Sequence, residues 1–231
     1  MPRPLPADVL ASTGGDIDAI RAHILDAALR AIRSHGLAAA STRVIAAEAG
    51  IAAGTLYNYF DDRLQLIAQT MLRRAQVLSQ PVADLALRAG KRTVASNLRY
   101  VARHAGSVLD ELVPLIGAAF SDTDLLNALR REMATTDTSS SPVHLLERYL
   151  LAERELGRIS PEADCLAAAS MVVGVCHDRA FHRYLRGDTG KPDSIAREIE
   201  FVARALTPPT GRDARRANPA AQGKGRKNVH P

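Results

Sequence analysis

The chain has 231 residues, enough to bury a substantial core, with the 46% apolar and 24% charged content of a globular protein. Trp is absent and aromatics make up only 4%, so Ala, Leu, Val and Ile must fill that core, a set that favours helix over strand. The net charge of +5 does not describe a generally basic particle. Beyond Pro208 lie six basic residues (Arg212, Arg215, Arg216, Lys224, Arg226, Lys227) and one acid, Asp213, which leaves residues 1–207 neutral overall.

The N-terminus MPRPLPADVLASTGGD has three prolines, two glycines and no apolar signal-type segment, and residues 1–15 are expected to be loose. Asp16 is the expected N-cap of a first helix, with Ile17, Ile20, Ile24, Ala28 and Ala31 at i+3/i+4 spacing and Gly36 as its stop. Ser41 or Thr42 starts a second, short helix that Gly50 ends, and a third runs from about Ala53 to Tyr59. Asp61 or Asp62 caps a long fourth helix closed by Pro81.

Further helices are expected from Lys91 to about Leu112, broken before Pro114, and from Asp122 to Met133. After the polar loop TTDTSSSP come Val143–Leu156, Glu162–Leu185 and Ser194–Leu206. No strand-like alternation appears, so the expected fold is all-α. Residues 208–231 have too few apolar groups to pack and read as a disordered basic tail.

Cys165 and Cys176 would lie roughly 16 Å apart along one helix, too far for a disulfide. The longest near-apolar run, Leu166 to Cys176, is far short of the ~18 residues that cross a membrane. A cytoplasmic location with no membrane partner follows as the expectation. His177 and His182 point about 140° apart round a helix and cannot share a metal, whereas Asp178 and His182 share a face as a surface pair. No metal, cofactor or catalytic residue is assigned, because no nucleophile–base set or phosphate-binding loop occurs.

The stretch AGIAAGTLYNYF (Ala49–Phe60) is the most informative. With Thr42 counted as position one, Ile45, Ala49, Ile51 and Leu56 fall at positions four, eight, ten and fifteen, where the two helices of a helix-turn-helix pack. Ala46 is small where the helices cross, and Gly50 makes the turn. Ala53, Gly54, Thr55, Tyr57, Asn58 and Tyr59 are then expected to face outward. Small residues admit a close approach, hydroxyls donate to phosphate and Asn58 can read a base edge.

Residues 20–67 resemble the DNA-binding domain of the TetR family of bacterial transcriptional regulators. The resemblance rests on Ile45-Ala46, Ala49-Gly50, Gly54-Thr55-Leu56-Tyr57, Tyr59-Phe60 and Arg63. It implies that Thr42 and Arg43 reach phosphate or the groove edge, that Ala53 to Tyr59 form the recognition helix, and that Arg63 clamps a phosphate. Ala52 stands where the family usually has a capping Ser or Thr.

The remaining helices are expected, by the same resemblance, to bind an effector and form a homodimer on palindromic double-stranded DNA. Ser170 and Gly174, small and four apart, mark the expected dimer contact. Expected pocket residues are Met71, Val101, His104 and Val108, followed by Leu115, Phe120, Leu146 and Met171. The chain thus divides into a flexible N-terminus (1–15), a DNA-binding unit (16–63), an effector and dimerisation domain (64–207) and the tail. The reading is an effector-released repressor; the alternatives are a helical small-molecule-binding enzyme and a non-specific DNA-architectural protein.

Overall fold

The computed structural model describes residues 6–135, 141–187 and 195–207. The expected basic tail lies outside them. Among the described residues there are ten helices and no strand: α1 Ala7–Thr13, α2 Ile17–His35, α3 Thr42–Glu48, α4 Ala53–Leu56, α5 Arg63–Ala86, α6 Val94–Ser121, α7 Thr123–Ala134, α8 Pro142–Glu155, α9 Cys165–Arg186 and α10 Ala196–Leu206. The architecture is all-α, with a short-helix N-terminal unit on a larger bundle of long helices.

Side chains that free the first-turn N–H groups from solvent start these helices where the sequence places them. Asp16 accepts from the Ala19 amide, Ser41 from Val44 and Asp62 from Gln65. Three expectations need correction. Residues 7–13 are not loose but form α1, whose Val9 is buried within the N-terminal core. Pro81 does not end α5, and Pro114 does not break α6; both helices run through their proline. A proline inside a helix costs about 3 kcal/mol, and burying an aliphatic side chain returns about 1.5–3 kcal/mol. Val82 and Leu85 are buried beyond Pro81, and Leu115 and Ala119 beyond Pro114, so continuing the helix wins in both places.

Two apolar clusters organise the molecule. The head cluster joins α1–α4 and the first turns of α5 and also takes in Leu115, Ala119 and Leu125 from α6 and α7. The body cluster gathers the end of α5, the first two-thirds of α6, and α8–α10. Helices α5 and α6 each belong to both, so packing does not stop at residue 63.

A polar network crosses the body core. The Asn97 amide donates to the Lys91 carbonyl (2.9 Å) and to the Tyr149 hydroxyl (2.8 Å). That hydroxyl donates to Glu153 Oε1 at 2.8 Å, and Arg158 lies 3.0 Å from the other carboxylate oxygen. Burial pushes the Tyr149 hydroxyl far up, so it remains a donor, and the fully buried Glu153 carboxylate keeps a cationic partner.

Candidate nucleic-acid interface and effector cavity

The α3–turn–α4 segment is held from beneath by Ile45, Ala49, Ile51 and Leu56, all buried. Gly50 turns the chain with φ +70°, a conformation that a side chain would strain. Ala52 precedes α4 without a side-chain cap. Helix α4 is a single turn, shorter than expected; the chain continues to Phe60 through bonds from the Asn58 amide to Thr55 and from the Tyr59 amide to Leu56.

The outward set is smaller than the sequence suggests. Gly54, Tyr57, Asn58 and Arg43 are exposed, and Thr42 is half-exposed. Ala53 and Tyr59 are half-buried against the head core, and Thr55 is only 4% exposed. A one-turn helix packed against α3 has little free arc, and Thr55 falls on the covered side. At Gly54 a Cβ would meet nothing within 4 Å, so the glycine leaves bare backbone on the surface without any internal need for it.

Arg63 does not project as expected. Its Nε donates to the Ala40 carbonyl at 2.9 Å and its Nη2 to that of Leu37 at 2.6 Å, tying the start of α5 to the α2–α3 loop. An arginine in the first turn of a helix opposes the helix dipole, and these two carbonyls compensate it. Arg21, Arg30 and Arg33 are engaged too, which sequence reasoning missed. Arg21 donates to the Tyr59 carbonyl and to Gln69 (2.8 Å), with its guanidinium 4.6 Å from the centre of the Phe60 ring. Arg30 pairs with Glu48 at 2.7 Å. Arg33 pairs with Glu111 of α6, which Arg74 of α5 also approaches at 2.6 Å. Burial alone would raise the Glu111 carboxyl, but the two guanidiniums hold it below its ordinary range. Arg43 is therefore the uncommitted arginine of the head among the described residues.

The expected effector residues do not converge. Met71 and Leu115 belong to the head core, Val108 and Leu146 to the body core, while His104, Phe120 and Met171 are exposed. The His104 ring packs on Tyr100 (4.2 Å between centroids) and its Nδ1 lies 2.9 Å from the Tyr100 carbonyl. Only Val101 lines the small apolar cavity enclosed by α5, α6, α8 and α9, together with Val82, Ala105, Leu109, Val172 and Cys176, with His177 at its rim. Its interior is about 20 Å³, room for about one water. Burial raises the Cys176 thiol to about 11 and lowers the His177 imidazole, so both groups are uncharged at neutral pH. The residue pattern gives which helix faces are apolar but not which faces meet, and so the expected residues fall in two cores and on the surface.

Ser170 and Gly174 lie on the exposed side of α9, and a Cβ at Gly174 would meet nothing within 4 Å of its own chain. The same helix exposes Leu166, Met171, Phe181 and Leu185, and α10 exposes Phe201. His182 Nδ1 lies 3.2 Å from Asp178 Oδ1, the expected surface pair. Among the described residues no three His, Cys, Asp or Glu side chains gather to hold a metal, and no single helix is long and apolar enough to cross a membrane.

The fold and the α3–turn–α4 segment define a helix-turn-helix protein on a helical body. Residues 24–70 match the family model described as "Bacterial regulatory proteins, tetR family". Solved structures share the fold over most of the chain. The TetR transcription regulator from Haloarcula marismortui is 15% identical, with a TM-score of 0.64 over 83% of this chain and all of its own (100%). The regulator FadR from Bacillus subtilis in complex with stearoyl-CoA is 19% identical, with a TM-score of 0.59 over 80% of this chain and 98% of its own. SmeT, the repressor of the Stenotrophomonas maltophilia multidrug efflux pump SmeDEF, is 22% identical, with a TM-score of 0.56 over 82% and 91%. No curated protein matches the chain.

Proposed function

We propose that the protein is a homodimeric, TetR-like transcriptional repressor that binds a palindromic operator and leaves it when a small molecule occupies the body. The observation that carries this reading is the exposed set Arg43, Gly54, Tyr57 and Asn58 on a helix-turn-helix whose packing residues are all buried. Asn58 reads a base edge, Gly54 admits the backbone to a phosphate or base, and Arg43, Thr42 and Tyr57 hold phosphate. Thr55, Ala53 and Tyr59 support this surface from beneath, and Arg63 shapes it from the side.

Two protomers join through α9 and α10. Their apolar exposed side chains, Leu166, Phe181, Leu185 and Phe201 with Met171, form a face that a second copy would cover. Ser170 and Gly174 permit a close helix approach there. The effector enters between α5, α6 and α9; a molecule larger than water must part these helices, and α5 carries that displacement toward the DNA-binding unit. An effector of this kind works by favouring the non-binding arrangement. SmeT and FadR, a repressor and a regulator holding an acyl-CoA, lend support through the shared fold.

The test is a footprint of the purified protein on the DNA flanking its own gene, followed by affinities of Asn58→Ala. A two-fold symmetric protected site is expected. Asn58→Ala should lose roughly 1–3 kcal/mol of discrimination at one base pair per half-site. Failure to protect any sequence overturns the reading; equal losses on specific and random DNA remove Asn58 from base recognition.

A further inference from the structure

Helices α2 and α6 share no extended packing surface, yet one carboxylate joins them. Glu111 accepts from Arg33, in the last turn of α2, and from Arg74, midway along α5, so a single side chain ties one head helix to both helices that run through the two cores. The place matters as much as the contact. Pro114, one turn further along α6, has no N–H, so the carbonyl of Asp110 loses its helical partner there. That missing bond lies where α6 passes from the body core, whose last buried residue on this helix is Leu112, to the head core, whose first is Leu115, with Ile116 packed against both. The α6 helix is weakest at the level where the head meets the body, and Glu111 spans that level from outside.

Other polar links between these parts are of a different kind: Arg73 of α5 pairs with Asp26 of α2 at 3.0 Å, between helices that already pack. Arg21 reaches Gln69 of α5, and Gln69 donates to Glu132 of α7 at 2.9 Å, but α5 and α7 already pack against each other over a broad face. That chain reinforces a contact the core makes anyway. The Arg33 arm of the Glu111 link does not, because α2 and α6 share little packing, while its Arg74 arm joins two helices that already pack together. Two guanidiniums without the carboxylate between them would repel, so its loss changes the sign of the interaction between α2 and α5 at this point.

We propose that Glu111 is a positioning residue that fixes the angle of the DNA-binding head on the body by bridging Arg33 and Arg74 beside the hydrogen bond that Pro114 removes from α6. This rests on the reading of the molecule as a dimeric operator-binding protein, and it adds the residue that sets the separation of the two recognition surfaces. The cavity-lining residues Val101, Ala105 and Leu109 stand on the same helix immediately before Glu111. A molecule that displaces this stretch of α6 therefore pulls on the bridge directly, without first unfolding either core.

Two measurements on the full chain separate this inference from the function it rests on. The first is an intrachain distance distribution between spin labels at Ala47→Cys and Glu155→Cys, two exposed sites on head and body, with labelled chains diluted in unlabelled ones; the native thiols Cys165 and Cys176 are buried. Glu111→Gln should broaden that distribution. Arg33→Gln, which keeps the Arg74–Glu111 pair, should do the same, and Glu111→Asp should restore much of the narrow form. Distributions superimposable on the parent's overturn the proposal, whether or not the protein binds DNA. The second is affinity for operators whose half-sites are moved apart or together by one base pair. Such a change is expected to cost the parent about tenfold and Glu111→Gln about twofold or less, with single half-site affinity unchanged. Equal spacing penalties in parent and variant overturn it. A parent that recognises no operator sinks the functional reading alone, and the distances still decide on Glu111.

Discussion

The head and the body use the same kinds of helix for opposite purposes. In the head, short helices are fixed by caps, a positive-φ glycine and arginines that reach backbone carbonyls, so that one small polar surface is left bare. In the body, long helices bury valine, leucine and alanine against each other, and the polar interior holds the Asn97–Tyr149–Glu153–Arg158 network and Arg183, which donates to Asp110. Where the chain must present backbone and small side chains outward, local chemistry dictates each residue. Where it must only fill space, many aliphatic combinations serve.

The largest effects should come from testing whether these are two cores or one. Ile45 and Leu146 are both fully buried, one in each cluster. Ile45→Ala and Leu146→Ala should each destabilise by about 2–5 kcal/mol. Because α5 and α6 enter both clusters, a single cooperative melt shifted downward is expected for either variant by calorimetry. A split transition in Ile45→Ala, with the body melting at the parent temperature, would break the view that the helices unite the cores.

Arg63→Ala comes next. Two charge-assisted bonds to Leu37 and Ala40 carbonyls would be lost, and bonds to charged groups contribute about 1.5–3 kcal/mol each. Because Arg63 is only half-buried and water can replace part of this, the lower end applies. Urea melts should show the loss in the absence of DNA. Unchanged stability together with weaker DNA binding would return Arg63 to the phosphate-contact role that the sequence suggested.

The smallest effect concerns the missing cap. Ala52→Ser supplies an acceptor for the free amides of α4, where no side chain now caps, and should add about 1 kcal/mol or less of stability. A matching rise in Tm would confirm that the cap is locally absent rather than supplied from elsewhere.

How legible each region was follows from the same contrast. Asp16, Gly36, Ser41, Gly50 and Asp62 mark boundaries by their own backbone chemistry, and the helix-turn-helix could be placed position by position. What escaped depended on long-range geometry. Thr55 was read as exposed because its polarity suited a surface, but a one-turn helix leaves it no outward arc. Arg63 was read as a phosphate clamp because nothing local reveals that the Leu37 and Ala40 carbonyls lie beside it. Pro81 and Pro114 looked like helix ends because the gain from burying Val82, Leu85 and Leu115 is set by partners far along the chain. The cavity was the least legible. Val101 was found, but Cys176 and His177 enter it only through the way α9 is rotated against α6.

The commitment of the head's arginines has a kinetic consequence. Among the described residues of the head, Arg21, Arg30, Arg33 and Arg63 are all engaged within the protein, leaving Arg43, and the chain holds no lysine before Lys91. The described heads of a dimer would then offer about two arginines to the phosphates, releasing few counterions and contributing about −2 to the slope of log K against log salt. Such a head has little hold on random sequence. It would leave non-cognate DNA quickly and sample the chromosome by repeated short encounters rather than long one-dimensional excursions, spending its residence time where base edges, not charge, retain it.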